Sequence, residues 1–376
     1  MTRLDDRSLA AESQATQVLF EEARRRRRRR WTVGVLALAV SLTTVAVAMV
    51  ARAPSAPRPT AQKTGALSQQ PHSAMPTEVV VWSNFGRIEV ISSATGHVIR
   101  TLATDVALNR GTPQPTVSPS GTVYFDDAHD VNINVPDEQI LSVPLSGGPV
   151  TVVADGHDPV VSPNGRLLAY LTYADYSSNG REGIVVRDLL TGETKTWQYS
   201  NTGPSVSAPS WSPDSESLSF TAVTASPNKR SETLGAWVLR VSTPSGSLDA
   251  ARKIPLPTGM AWAGYLNPAE GIGVSQHWGP TRRSSTFALS VVDVATGRVM
   301  TRLPAVPGQL GVGNIYDGAE GTVQVDPSGQ HVAVVEVGSG NGTLYRWTIG
   351  RDPIRISADP IQIATGVISA AWVPTH

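Results

Sequence analysis

The feature that most constrains the fold is a proline turn that recurs along the chain. Six prolines follow one another at intervals of 44 to 59 residues: Pro119, Pro163, Pro213, Pro268, Pro327 and Pro374. An apolar residue stands two positions before each proline, and Ser, Asn or Asp stands immediately before five of them. Such a side chain can bond the backbone ahead of it, while proline fixes φ at the second position of a tight turn. The recurrence predicts a fold built from equivalent units.

The residues after each turn predict strands. Apolar residues recur there at every second position, as in Leu168 with Tyr170, Leu218 with Phe220, Val332 with Val334, Val123 with Phe125, and Ile272 with Val274. Period two is the pattern of a strand that packs one face against a neighbouring sheet. Thr-Gly turns, as in 188–193 and 293–298, then join two further apolar stretches as hairpins. Four strands in about 50 residues, repeated, are typical of a propeller blade.

The two ends of this region complement each other. Residues 78–102 supply three strands with no proline turn before them, and residues 366–373 supply a first strand with nothing after it. Together they make one blade, and a closed ring leaves no open sheet edge at the join. We therefore predict an all-β, six-bladed β-propeller over residues 78–376, closed by the N- and C-terminal strands in one blade and preceded by one transmembrane helix.

The segment from Trp211 to Phe220 carries a family resemblance. It reads Trp-Ser-Pro-Asp-Ser-Glu-Ser-Leu-Ser-Phe and resembles the Trp-Ser-Pro-Asp-Gly-Lys-x-Leu-Ala-Phe repeat of TolB-type (WD40-like) propellers; the segment from Val161 to Tyr170 is similar. The resemblance covers residues 78–376 and implies the propeller architecture. It also implies a choice of roles, because such propellers serve as periplasmic scaffolds, as sensor domains and as gating domains of prolyl-oligopeptidase-like hydrolases.

A membrane anchor is predicted ahead of the propeller. Trp31 to Ala51 is a run of 21 residues without a charge, and seven consecutive arginines, Arg24 to Arg30, precede it. A helix of this length spans a bilayer core of about 30 Å, and the flanking positive charge is retained in the cytoplasm. We expect a cytoplasmic basic segment (1–30), a single-pass helix (31–51), a Pro/Ala/Ser-rich linker (52–77) and an extracytoplasmic propeller. The alternative is a cleaved signal peptide and a secreted protein.

Composition excludes several classes of function. The chain contains no cysteine, which removes disulfides, thiolate catalysis and Cys-based zinc sites. Net charge is zero, with an excess of four positive charges in residues 1–30 (nine Arg against five Asp or Glu) and of four negative charges in the rest (22 against 26). The propeller region is therefore not a basic nucleic-acid binder. We expect no cofactor and no metal, and the partners to be a membrane and a protein or cell-envelope component.

Candidate contact residues lie in three polar segments. They are Asp126, Asp127, His129 and Asp130, predicted on a connection between two strands of blade two; His157 and Asp158, predicted just before a first strand near the central channel; and Tyr316 and Asp317. The oxygen-rich first segment could hold calcium, and His129 could join a transition metal. Its spacing does not match an EF-hand loop, and a hydrated connection is the interpretation we favour.

Two functions remain open at this level. The first is a non-catalytic interaction, scaffold or sensor module, because loops on a rigid disc suit recognition and the sequence contains no nucleophile elbow, zinc-binding helix motif or phosphate-binding loop. The alternative is a small-ligand-binding, hydrolase or lyase propeller that uses the central channel. Such a propeller would need His, Asp, Glu or Arg side chains converging at the channel mouth, and the candidate residues above are the ones available.

Overall fold

The computed structural model of the chain describes residues 76–83, 86–106, 114–132, 135–172, 182–199, 203–224, 232–277, 286–303, 306–307, 323–326, 329, 331–337, 342–348, 361–365 and 367–374. The predicted cytoplasmic segment and transmembrane helix, and all but two residues of the linker, lie outside these ranges. Within them, no helix is long and apolar enough to cross a membrane.

The described strands form six sheets, one for each blade of the predicted propeller. Blade one contains both ends of the ring: β26 (Val367–Trp372), β1 (Glu78–Ser83), β2 (Arg87–Ser92) and β3 (Val98–Ala103). Blade two contains β4 (Thr116–Val117), β5 (Thr122–Asn132), β6 (Val135–Pro144) and β7 (Thr151–Asp155). Blade three contains β8 (His157–Val161), β9 (Leu167–Thr172), β10 (Gly183–Asp188) and β11 (Thr194–Gln198).

The other three blades follow the same order from the axis outward. Blade four contains β12 (Ser205–Trp211), β13 (Ser217–Thr224), β14 (Glu232–Arg240) and β16 (Arg252–Ile254). Blade five contains β17 (Met260–Tyr265), β18 (Glu270–His277), β19 (Thr286–Asp293) and β20 (Val299–Arg302), and β21 (Val306–Pro307) also pairs with β19. Blade six contains β22 (Val323–Val325), β23 (His331–Val337), β24 (Gly342–Thr348) and β25 (Ile361–Thr365).

The first strand of every blade contacts the first strand of the next, which closes the ring. The contacts run from β26 to β4, β8, β12, β17 and β22, and from β22 back to β26. The C-terminal strand β26 pairs antiparallel with β1, with Trp372 opposite Val79 and Ala370 opposite Val81. The predicted six-bladed ring, closed by strands from both ends of the propeller region, is therefore confirmed.

The hydrophobic core lies between successive blades, because each sheet is covered on both faces. Leu218 and Phe220 on β13 pack towards blade three, where they join a cluster with Leu171 and Trp197. Trp211, at the end of β12, donates from its indole Nε1 to the carbonyl oxygen of Val160 at 3.0 Å and so ties blade four to blade three. The alternation seen in the sequence thus selects the residues that fill the space between blades.

In the proline turns of blades three, four and six, the side chain that precedes the proline bonds the backbone of the turn. The hydroxyl Oγ of Ser162 accepts from the backbone N–H of Leu167 at 2.9 Å, and Ser212 accepts from Ser217 at the same distance. In blade six a carboxylate takes the place of the hydroxyl, and Oδ1 of Asp326 accepts a hydrogen bond from the N–H of His331 at 2.7 Å. These bonds confirm the turn chemistry predicted from the repeat.

Blade five departs from the pattern. Its alternating pair, Ile272 and Val274, packs against blade six, whereas the corresponding pairs of the other blades face the preceding blade. The face towards blade four is filled by Trp262, whose indole Nε1 donates to Oγ of Ser219 at 2.9 Å. A Cβ on Gly271 would lie 2.0 Å from Cη2 of Trp262, so the glycine makes room for the indole ring.

This arrangement predicts the effect of adding one methyl group. Gly271→Ala should destabilise the propeller by about 1–3 kcal/mol or more, because overpacking forces a buried ring off its rotamer. Chemical denaturation followed by tryptophan fluorescence measures the change. Gly246→Ala is the matched control, since the nearest atom to its new Cβ is 4.0 Å away. Equal losses of stability in the two variants would contradict the conclusion that Gly271 makes room for the Trp262 ring.

Blade three has a covered outer edge. A short strand from the next repeat, β15 (Gly246–Ser247), pairs in parallel with β11, and a single 3-10 turn follows it at Leu248–Ala250. The indole Nε1 of Trp197 donates to the carbonyl oxygen of Pro244 at 3.1 Å, and Leu248 is buried in the core between blades three and four. Covering an edge strand in this way prevents it from pairing with another chain.

Candidate functional site

The first candidate segment is a strand and not a loop. We predicted a connection at Asp126–Asp130, but β5 continues to Asn132 and pairs there with β6, which begins at Val135. The two strands make a long hairpin because the polar residues extend the ladder beyond the apolar core. Asp126 and Asp127 are both buried. His129 and Asp130 lie on β5, with side chains outside the described part of the structure, and Tyr316 and Asp317 lie outside the described residues.

The second candidate segment is also part of a strand. His157 and Asp158 are the first two residues of β8, where we predicted them just before it. β8 is the innermost strand of blade three, since it belongs to the ring of first strands. His157 and Asp158 therefore begin the innermost strand of their blade, and their predicted place near the mouth of the central channel stays a prediction.

The structure brings Asp126 together with His157 and Asp158. In the β5–β6 ladder, Asp126 is opposite Ile140 and Ala128 is opposite Glu138, so Asp126 and Glu138 share one face. Ile140 on that face packs against blade three. The charges of Asp158, Glu138 and His157 all act on Asp126. We call Asp126, Glu138, His157 and Asp158 the Asp126 cluster; it lies between blades two and three.

Glu138 is the member of this cluster that sequence reasoning missed. It is 3 % exposed, although it stands in a polar run beside Asp137. The alternation of side chains along a strand could have identified it. Glu138 is two residues before Ile140, which is buried, so both side chains project to the same face of the strand.

The backbone conformation at the start of β8 determines where the side chains of His157 and Asp158 lie. Gly156 has φ of 145°, and a Cβ there would lie 2.5 Å from the carbonyl oxygen of Leu171. The N–H of Gly156 donates to the carbonyl oxygen of Glu138 at 2.9 Å, which anchors the connection to blade two. Asp158 has φ of 50°, a left-handed conformation that Asp tolerates better than most residues, and the β8–β9 register shifts beside it.

The same bulge occurs in blade four without the charges. Ala208 has φ of 49° and precedes Pro209, as Asp158 precedes Pro159. Ser207 stands where His157 does, directly before the left-handed residue. The bulge therefore occurs in both blades, whereas the carboxyl group of Asp158 and the imidazole of His157 belong to blade three.

The protonation of the cluster follows from its burial. Burial raises the pKa of Asp126 well above its usual range, and the nearby carboxyl groups of Asp158 and Glu138 raise it further. Burial alone would lower the pKa of His157, but the hydrogen bond to Asp158 and the charges of Asp158, Glu138 and Asp126 outweigh it and raise this pKa to about 9. Nδ1 of His157 lies 3.5 Å from Oδ2 of Asp158. The imidazole is therefore a cation at neutral pH.

One carboxylate oxygen of Asp126 has no hydrogen-bond partner among the described residues. The residue is 5 % exposed, and its Oδ1 makes no hydrogen bond to any residue that the structure describes. A buried acceptor left unsatisfied costs about 1–3 kcal/mol. Among the same described residues, no three His, Asp or Glu side chains are arranged to hold a metal ion.

Asp126→Asn should therefore stabilise the protein at neutral pH by about 1–3 kcal/mol, because the amide has the shape of the carboxyl group without its buried charge. The midpoint of urea unfolding at pH 7 and at pH 4 measures the effect, which should be larger at pH 7, where the wild-type carboxyl group is less protonated. Asp105→Asn, the same change at an exposed site, should leave both midpoints unchanged. A destabilised Asp126→Asn protein would contradict this account of the cluster.

The fold and its closure define the class: this chain contains a six-bladed β-propeller. Among solved structures it is similar to TolB from Acinetobacter baumannii, with 16 % identity and a TM-score of 0.53, over 79 % of this chain and 66 % of that one. It is also similar to a TolB candidate from Agrobacterium tumefaciens (12 % identity, TM-score 0.47, 81 % of this chain and 100 % of that one) and to the tricorn protease (13 %, 0.45, 77 % and 30 %).

Neither a family model nor a curated protein matches the sequence. The likeness to TolB of Acinetobacter baumannii is one of fold, which agrees with the TolB-type repeat found in the sequence. Because unrelated functions share one architecture, function must be argued from the surfaces and sites of this chain.

Proposed function

We propose that this chain is a membrane-anchored, extracytoplasmic propeller that acts as a non-catalytic protein-interaction or scaffold module of the cell envelope. The observation that carries the proposal is the difference between blade edges. The outer strand of blade three is covered by β15, whereas the outer strands of blades one and two expose large apolar side chains. Val98 and Ile99 on β3 are 54 % and 48 % exposed, and Val150 beside β7 and Val152 on it are 43 % and 60 % exposed.

Exposed apolar residues on an outer strand favour contact with another chain. A strand at the edge of a sheet presents unpaired backbone groups that can pair with a partner, and natural proteins ordinarily place charges or covers there. Blades one and two are neighbours in the ring, so β3 and β7 are the outer strands of two adjacent blades. An extended segment of a partner protein could pair with either edge, as β15 pairs with β11 within this chain.

The proposed location is supported by the sequence. The uncharged stretch 31–51 has the length of a membrane span, and the seven arginines before it favour a cytoplasmic N-terminus. Fractionation tests this point: the full chain should sediment with membranes, resist extraction at alkaline pH, and be digested by a protease added to the outside. A full-length protein in the soluble fraction, or a mature N-terminus after residue 48, would contradict the anchor.

Cross-linking in whole cells tests the interaction. We expect a defined set of proteins to co-purify with the wild-type chain, and to be reduced at least tenfold by the double substitution Ile99→Lys and Val152→Lys. Leu190→Lys is the matched control, because Leu190 is 85 % exposed on a hairpin turn of blade three and belongs to neither edge strand. Thermal unfolding must show that all variants remain folded. Equal recovery from both variants would contradict the role of these edges.

A further inference from the structure

We propose that the seam between blades six and one is an acid-sensitive closure of the ring, in which protonation of His331 loosens the C-terminal strand β26. The seam is the face of β23 and β24 that packs against β26 and β1. Such a device controls how firmly the ring is closed, and it requires neither the protein partner nor the membrane location proposed above.

His331 lies in this seam, against the strand that closes the ring. It is the first residue of β23 and is 5 % exposed. Its imidazole ring lies 6.2 Å from the indole ring of Trp372, centroid to centroid. Trp372 is the last residue of β26, and it shares the apolar core of the seam with Ala333, two residues along β23 from His331. A charge on the imidazole is therefore buried beside the apolar side chains that hold β26, which is unfavourable.

Two charged groups of blade six act on this imidazole, and they have opposite signs. In the β23–β24 ladder His331 is opposite Thr348, and Ala333 is opposite Arg346. The imidazole and the guanidinium of Arg346 therefore project to the same side of the sheet. Asp326, directly after β22, supplies the negative charge, and its Oδ1 accepts the backbone N–H of His331 at 2.7 Å. Protonation of His331 thus adds a second positive charge to the face that carries Arg346.

The facing side of blade one carries one ion pair. Strand β26 contains no ionisable residue. On β2, Glu89 is opposite Val81 and Arg87 is opposite Ser83, so both charged side chains are on the face of blade one that packs against blade six. They are paired with each other, with Nη1 of Arg87 at 3.9 Å from Oε1 of Glu89. The described charges that act on His331 are those of its own blade.

The direction of the pH effect follows from burial. Burial lowers the pKa of His331, the charge of Asp326 offsets part of this, and the charge of Arg346 adds to it, so the pKa lies below the ordinary 6.5. Opening of β26 uncovers the imidazole and returns its pKa towards that value. The open state therefore binds the proton more readily than the closed state, and opening becomes more frequent as pH falls below about 6.5.

The blades on either side of β26 are also held to each other by a bond of their own. Nε2 of Gln324 on β22 donates to Oε1 of Gln114, just before β4, at 2.7 Å. This bond joins blades six and two past the closing strand of blade one. Strand β26 is attached through its ladder to β1 and through the packing of Trp372 and Ala370. We therefore expect acid to act on β26 before it acts on the rest of the ring.

The test uses the full chain in detergent micelles and a single introduced thiol, because the chain contains no cysteine. Ala370→Cys places the thiol on β26 in the seam, and Ala169→Cys places it on β9 in the core between blades three and four; these alanines are 1 % and 0 % exposed. Labelling with dithiodipyridine, which reacts with thiols at acid pH, is divided by the rate in the unfolded chain at the same pH. From pH 7 to pH 5 the corrected rate should increase about threefold or more for Ala370→Cys and stay constant for Ala169→Cys.

Two further substitutions in the Ala370→Cys chain assign the effect to His331. His331→Gln should abolish the acceleration, because glutamine carries no charge at either pH. His97→Gln, at an exposed position, should retain it. Arg346→Gln keeps the imidazole and removes the neighbouring charge, which raises the pKa of His331 towards its ordinary value. The acceleration should then be smaller and should level off at a higher pH.

Three outcomes would overturn the inference: equal acceleration by acid at Ala370→Cys and Ala169→Cys, acceleration that persists in His331→Gln, or labelling of β26 that does not increase on acidification. If His331→Gln does not fold, Arg346→Gln decides, and an acceleration as large as that of the unsubstituted seam or larger overturns the inference. The recovery of partners by cross-linking has no bearing on these rates, so the acid-sensitive seam and the interaction role can fail separately.

Discussion

A chain that ends at Gly366 should fail to form the closed propeller. This truncation removes β26, the innermost strand of blade one, together with its ladder to β1. Trp372 and Ala370 leave the core that blade one shares with blade six. Loss of one buried tryptophan side chain alone costs about 3–5 kcal/mol, and β1 becomes an exposed inner edge. Against a total stability of about 5–15 kcal/mol, loss of the whole strand should abolish cooperative folding.

Circular dichroism and urea unfolding of the full and shortened chains measure this effect. A chain that ends at Val373 is the control, because it retains β26 and the bond from the N–H of Val373 to the carbonyl oxygen of Glu78. A synthetic peptide of residues 361–376 should restore cooperative unfolding to the shortened chain when added in excess. An unchanged unfolding midpoint after removal of 367–376 would show that blade one does not depend on its C-terminal strand.

The second large effect is a loss of stability between pH 6.5 and pH 9. The pKa of His157 is about 9 in the folded protein against 6.5 for the ordinary side chain. Its contribution is complete below pH 6.5 and disappears as pH rises through 9, because the folded state holds the proton longer than the unfolded state. The difference corresponds to at most about 3 kcal/mol. The raised pKa of Asp126 acts in the same direction at lower pH, from about 4 upwards, since the folded state again binds the proton more tightly.

Urea unfolding across pH 5.5–9.5 measures the slope, and His157→Gln should flatten it between pH 6.5 and 9. The variant should be less stable than the wild type at pH 6 and nearly equal to it at pH 9.5. His97→Gln, at an exposed position, should keep the wild-type slope. A wild-type stability that rises over this pH range would contradict the assignment of a charged His157 paired with Asp158.

Sequence alone determined the architecture, because the turn chemistry is local and repeated. A polar side chain before the proline caps its own turn, as Ser162, Ser212 and Asp326 show, and period two after the turn selects the buried face of a strand. Counting the turns therefore predicted six blades, and the unpaired strands at 78–102 and 366–373 predicted how the ring closes.

Tertiary structure alone decided which polar residues meet. Asp126 and His157 are 31 residues apart in the sequence (157 minus 126), and they approach because β5 of one blade faces the first strand of the next. The alternation along a strand assigns each side chain to one face of the sheet. Which residues of two adjacent blades lie opposite each other depends on bulges such as that at Asp158 and on the length of the β5–β6 hairpin. The same packing of sheet on sheet, which no local pattern encodes, buried Glu138 and left an oxygen of Asp126 without a described partner.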